Sequence, residues 1–172
     1  MNIVAIGAHP DDLEIFAYGF LAAASSRGDN LTLGVATDGA AGGVNQGTEL
    51  AKQRAEEAKN GLAALGTPTL LDLPDGQLAD APNALTRITD FIRNAEPDLV
   101  ITHAPEDYHP DHRALAAHVR DAAGFICPVL FCDTLMGVVS DILSDSICEA
   151  GLYLSGIICG KMVNDIIKVT DV

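Results

Sequence analysis

Positive charge is scarce in this chain of 172 residues: ten Lys and Arg stand against 24 Asp and Glu, a formal charge of −14. Duplex nucleic acid and anionic membrane surfaces are both bound through clustered cations, so neither is an expected partner. Long apolar runs are missing as well. The stretch 2–8 is too short for a signal-peptide core and has no basic residue before it. Residues 150–160, uncharged and flanked by Glu149 and Lys161, are too few to cross a bilayer. No C-x-x-C pair occurs among Cys127, Cys132, Cys148 and Cys159, and their spacing fits no common zinc pattern, so reduced, mostly buried thiols are expected. Neither G-x-G-x-x-G nor the Lys and Ser/Thr of a P-loop is present, which disfavours a nucleotide site. Internal repeats are absent too. A cytoplasmic protein forming one domain over residues 1–172 is the expectation that remains, since 48% hydrophobic and 20% charged residues suit a globular core.

What the chain does have is alternation between short β-type runs and longer helical patterns. Ile3 to Ile6 reads as a buried strand ended by Gly7, and Glu14 to Arg27 as a helix stopped by Gly28-Asp29-Asn30. A strand over Leu31 to Thr37 leads into a Gly-rich loop and then a helix over Thr48 to Leu65, with Gly66 just past its end. A third strand, Thr69 to Leu73, runs into a Pro-Asp-Gly turn, and Leu85, Ile88, Phe91 and Ala95 mark another helix. Leu99 to Thr102 is a fourth strand, Pro110 to Ala123 a helix opened by proline, and Val129 to Phe131 a fifth strand. Beyond Met136 the pattern loses definition. Strands alternating with helices predict an α/β fold with a mostly parallel sheet and helices on both faces.

In open α/β sheets, sites form beyond the carboxyl ends of the strands. Two loops at such positions carry the same tripeptide: His9-Pro10-Asp11-Asp12 and His109-Pro110-Asp111-His112. Chance would supply on the order of 0.02 copies of it, so two at strand ends argue for a shared role. One copy alone reads as a helix N-cap, which explains Asp12 and Asp111 but not the histidines. His9 and Asp12 are three residues apart, as are His109 and His112, and such pairs share one side of a helical turn.

Imidazole nitrogen and carboxylate oxygen suit a borderline metal such as zinc. Three protein ligands leave a position for a water whose pKa falls to about 7. His9, Asp12, His109 and His112 are more ligands than that requires. Asp11 is a natural base for the water, and a histidine outside the ligand set could polarise a carbonyl and donate a proton. His118 falls in a helix interior and reads as structural. His103 ends the fourth strand, where a hydrogen-bonded structural role is favoured over lining a pocket. Asp38 to Gly43 is either a flexible turn or a wall where backbone nears a substrate, and Arg54 lies on the polar face of its helix. Two rivals stay open. A metal-dependent phosphoesterase would prefer two metals and a basic phosphate pocket, for which cations are few. A catalytically silent metal- or sugar-binding module would keep the loops alone.

A strand followed by AHPDDLE, then TDGAAGG, QRAEEA, LPDG and DYHPDHRA, in order from about Ile3 to Gly137, resembles the PIG-L/LmbE-type N-acetylglucosaminyl deacetylases. The resemblance implies a Rossmann-like three-layer fold and a single deacetylase-like domain, with residues 138–172 an atypical, divergent or truncated tail. It implies Zn2+, with Fe2+ the alternative, held by His9, Asp12 and His112. Asp11 would be the general base. His109 would stabilise the oxyanion and protonate the amine, with Asp111 orienting its ring, and Arg54 would contact substrate. Tyr108 adjoins His109 directly, unlike the tyrosine that some members place two residues ahead of that histidine. The implied reaction is hydrolysis of an N-acetyl group from an N-acetylglucosamine-type conjugate. The implied partner is that small molecule, and assembly into a homo-oligomer is compatible with it.

Overall fold

The computed structural model describes residues 1–44 and 46–132. Five strands form one parallel sheet: β1 (Asn2–Gly7), β2 (Asn30–Thr37), β3 (Thr69–Leu73), β4 (Leu99–His103) and β5 (Val129–Cys132), in the order β3-β2-β1-β4-β5. Helices α1 (Asp12–Phe16), α2 (Tyr18–Ser26), α3 (Thr48–Gly61), α4 (Ala84–Asn94) and α5 (Pro110–Ala123) fill the crossovers, with a 3-10 turn at Leu78–Asp80. This is the expected Rossmann-like α/β arrangement.

The continuous apolar run of β1 is explained by burial on both faces. Side chains alternate across a strand, so Ile3 and Ala5 join one core with Leu13, Leu21, Leu33, Leu62 and Ile101. Val4 and Ile6 join the other with Leu73, Ile88, Ile92, Val100, Leu115 and Val119. The first core lies under α1 and α2, and the second under α4 and α5, giving three layers. From β1 the chain winds outward through β2 and β3, then returns to place β4 on the other side of β1. The order reverses between β1 and β4, which is where open α/β sheets form a crevice.

The local differences from the expected elements have physical causes. The helix expected over Glu14–Arg27 starts at Asp12 and is divided at Ala17, whose φ of −123° leaves the helical range. Ala17 N–H still bonds the Leu13 carbonyl at 3.1 Å and Leu21 N–H the Ala17 carbonyl at 3.0 Å, so the two pieces run on. The helix expected to Leu65 ends at Gly61, with Leu62 as its cap, and a tighter turn returns Leu65 N–H to the Leu62 carbonyl at 2.8 Å. The 3-10 turn was not anticipated; it buries Leu78 fully. The expectations for 138–172 fall outside the described residues. Among the described residues, no helix is long and apolar enough to cross a membrane.

Ile88 is fully buried between α4 and the sheet. Ile88→Ala is expected to lower the unfolding free energy by about 2–5 kcal/mol, read from the shift of a urea melt.

Candidate metal centre and active site

The loop after β1 is built to fold onto itself. Asp11 and Asp12 N–H groups reach the His9 carbonyl at 2.9 and 3.3 Å, and Asp12 Oδ2 accepts the His9 backbone N–H at 2.6 Å. This tight return requires glycine at position 7, where a Cβ would stand 2.7 Å from that of Asp12. The loop after β4 is tied in the same manner: Asp107 Oδ1 accepts the His109 N–H at 2.9 Å, and Pro110 starts α5.

The two loops meet. His9 Nδ1 lies 3.2 Å from His112 Nε2 and 3.4 Å from Asp12 Oδ2, and His112 Nε2 lies 3.4 Å from Asp12 Oδ1. Donors bound to one tetrahedral zinc at 2.0–2.1 Å are separated by about 3.3 Å. The spacing and the chemistry of the three donors therefore fit a single small cation. All three side chains are buried.

Further groups hold the donors from behind. His9 turns its other nitrogen, Nε2, to Asp75 Oδ1 at 3.2 Å and Asp111 Oδ2 at 3.3 Å. Asp107 Oδ1 sits 2.9 Å from His112 Nδ1. Carboxylates behind imidazoles are the usual means of fixing a ligand histidine's orientation and basicity. These contacts also set the charges. Burial alone would raise the Asp12 carboxyl, but hydrogen bonds from His103, His112 and His9 hold it well below the usual carboxylate range. Burial alone would lower His9 and His112, yet Asp12 and the carboxylates beyond them raise both above 6.5.

His109 stands edge-on to His9, with ring centroids 4.6 Å apart, and 4.8 Å from the His112 ring. Burial and the neighbouring imidazoles lower its pKa. The Asp111 carboxylate accepts from Gly76 N–H at 2.7 Å and Leu78 N–H at 3.1 Å, besides facing His9. What Asp111 gives His109 is its backbone N–H, donated to Nδ1 at 3.2 Å.

Asp11 has half its side chain exposed and is bound by Arg54 Nη2 at 2.7 Å. Arg54 is therefore not a freely solvated residue of α3; its side chain is only 15% exposed. The Gly-rich loop makes this possible. A Cβ at Gly42 would collide with Arg54 Nη1, and one at Gly39, which has a φ of +67°, would stand 2.9 Å from Pro10 Cδ. This packing of the loop against Pro10 and Arg54 was in neither of its two expected readings. Beside Asp11 lies a shallow groove walled by Pro10, Ile15, Leu50 and Arg54.

Three acidic or imidazole groups at the centre were not singled out for it by sequence. Asp75 was read as part of a turn and Asp107 as part of a polar loop, each inside a motif of the resemblance, LPDG and DYHPDHRA, but with no role given, and His103 was read as structural. His103 is fully buried with Nε2 3.0 Å from Asp12 Oδ2. The signal for Asp107 was its position five residues ahead of His112 on a loop returning to the same helix; for Asp75 no local signal existed. His118 lies part-buried on α5, and its Nε2 has no hydrogen-bond partner among the described residues.

A family model for PIG-L, GlcNAc-PI de-N-acetylase, matches residues 4–123. The chain is 35% identical over 125 residues to the uncharacterized deacetylase YaiS of Escherichia coli K12, covering 66% of this chain and 63% of YaiS. Among solved structures it resembles the conserved protein TT1542 of Thermus thermophilus, with a TM-score of 0.67 and 25% identity over 78% of this chain and 67% of that one. It also resembles the N,N'-diacetylchitobiose deacetylase of Pyrococcus horikoshii, with a TM-score of 0.64 and 27% identity over 72% of this chain and 49% of that one. The chain thus spans less than two thirds of YaiS and about half of the chitobiose deacetylase.

The histidine charges give the metal-free protein a pH signature. A raised pKa contributes stability that is complete below the unfolded value, about 6.5, and is lost as pH climbs through the folded value. His103 and His109, shifted down, are neutral in both states above that point, so His9 and His112 set the trend there. Thermal melts in the presence of a chelator are expected to show a falling midpoint as pH rises above about 6.5; a flat or rising midpoint contradicts the assignment.

Proposed function

The chain belongs to the PIG-L family, and from that membership we propose that it is a zinc-dependent hydrolase. Its reaction is removal of the acetyl group from the amide nitrogen of an N-acetylglucosamine-type sugar conjugate. The observation that carries this reading is the trio His9, Asp12 and His112, in which His9 Nδ1 and His112 Nε2 are 3.2 Å apart and the Asp12 carboxylate lies 3.4 Å from each, with the His109 ring 4.6 Å from that of His9. Those three residues would hold the metal. When bound it would supply a Lewis acid that makes hydroxide available near neutral pH. Fe2+ is the alternative occupant, because an Asp-His-His set does not select strictly between the two.

The chain's own groups do the rest. Asp11 accepts the proton of the attacking water; its exposure leaves it open to the crevice, and Arg54 fixes its direction. His109 Nδ1 accepts the Asp111 N–H, so the ring proton belongs on Nε2. That N–H is then free to donate to the oxygen that becomes negative as the carbonyl is attacked. The proton gained by Asp11 balances the one delivered through His109 to the departing nitrogen, leaving acetate and an amine. Asp111 acts here through its backbone on His109 and through its carboxylate on His9. Arg54 offers its remaining N–H donors to substrate hydroxyls.

The phosphoesterase alternative is less well supported. The arginines near the cluster are engaged, Arg54 by Asp11 and Arg113 by the carbonyls of Asp107 and Tyr108 at 2.7 and 2.8 Å. A cytoplasmic location accords with Cys127 as a free thiol.

Metal analysis combined with acetate release from N-acetylglucosamine conjugates tests the reading. Asp11→Asn should keep the metal and lower turnover by roughly 10²–10⁴-fold; near-normal turnover would falsify the base assignment. Gly42→Val should displace Arg54 and reduce turnover by about tenfold or more, with metal content unchanged. Wild-type kinetics in that variant would remove Arg54 from the mechanism.

A further inference from the structure

The least accessible imidazole in the centre belongs to none of the roles above. His103 ends β4 with no exposed surface, its ring clamped between His112, stacked at 3.8 Å and 12°, and Phe16, whose centroid is 4.7 Å away. A hydrocarbon ring would fill this slot without the desolvation cost that a buried polar ring carries. The polar atoms of His103 meet both arms of the donor trio. Nε2 lies 3.0 Å from Asp12 Oδ2 and 3.1 Å from the Ala8 backbone N; one ring nitrogen serves only one of them, and donation to the buried carboxylate is the stronger bond. Nδ1 lies 3.8 Å from Asp107 Oδ2, and Asp107 is the carboxylate that holds His112. One ring therefore touches the first loop through Asp12 and Ala8, and the second through Asp107 and the face of His112.

The consequence for Asp12 is specific. Its Oδ2 accepts the His9 backbone N–H, faces His103 and lies 3.4 Å from His9 Nδ1, while Oδ1 is the oxygen turned toward His112 Nε2. We infer that His103 is a positioning residue that pins Asp12 Oδ2 from beneath the donor trio, so that the Asp12 carboxylate keeps one orientation toward the metal and the β1 and β4 loops hold one spacing. The inference rests on the metal-binding reading proposed above, but it concerns affinity and ligand geometry, not the substrate.

Zinc affinity, measured by competition with a chromophoric chelator, and the visible spectrum of the cobalt(II)-substituted protein are the readouts. His103→Phe keeps the stacking surface and removes both nitrogens. It is expected to weaken zinc binding about 10–100-fold and to alter the cobalt spectrum, with the melting temperature of the metal-free protein little changed. His103→Gln, whose amide reaches the position of Nε2, should restore affinity to within a few-fold of wild type. His103→Asn reaches only the position of Nδ1 and should not, and this pair decides the matter if the Phe variant does not fold. Zinc binding by His103→Phe equal to wild type, or equal affinities for the Gln and Asn variants, overturns the inference. Failure of the wild-type chain itself to bind zinc would instead overturn the metal-binding reading on which it stands.

Discussion

The pairing of β1 with β4 is the constraint on which the site depends. Ile3, Val4 and Ala5 lie in register with Leu99, Val100 and Ile101, and Thr102 Oγ1 adds a bond to the Ile6 carbonyl at 3.0 Å. Because the two strands are parallel and adjacent, their carboxyl ends emerge side by side. His9 and His112, 103 positions apart in the chain, thereby come within contact distance. Nothing local to either loop could achieve this. Each loop folds on its own hydrogen bonds, but only the sheet sets their separation. The registry of a few apolar residues thus controls the spacing of polar donors.

Those donors form an arrangement in which each charge is answered by a neighbour. Asp12 is buried, and an isolated buried carboxylate would be costly. Three imidazoles within 3.4 Å keep it ionised, and further carboxylates behind His9 and His112 keep those rings basic. The shell of acids beyond the imidazoles also favours a cation at the centre. The scarcity of Lys and Arg in the chain is consistent with such a centre, since few side-chain cations compete for these carboxylates.

Much of this was legible in the sequence because it is written in local pattern. The apolar run 3–6 could only be a strand buried on both faces, and the repeated His-Pro-Asp marked both loops. The reversal at the β1–β4 boundary was not legible, since βα alternation predicts a parallel sheet but neither its strand order nor its register. The less legible parts depend on tertiary placement. Asp75 sits in a Pro-Asp-Gly turn that looks the same wherever it occurs; only the β3 position brings it to His9. Arg54 follows the polar stripe of α3, and the approach of Gly39 and Gly42, not the helix pattern, turns it onto Asp11. Asp111 was expected to orient the His109 ring, but sequence proximity does not reveal that its backbone N–H meets that ring while its carboxylate takes the amides of Gly76 and Leu78. The break at Ala17 was hidden for a similar reason: Gly19 weakens the helical pattern of 14–27, but nothing local marks Ala17 itself.

The Asp75 carboxylate has a wider effect than its contact with His9. Its second oxygen accepts the Ala41 N–H at 2.8 Å, so the turn after β3 is fastened both to the donor trio and to the Gly-rich loop after β2. Three loops from three neighbouring strands consequently behave as one rigid rim. A change in the length of the turn at 74–78 would be transmitted straight to an imidazole. Variation in what the rim admits is thereby channelled away from that turn, toward the outer part of the loop after β2, where the chain can lengthen or reshape without pulling on the centre.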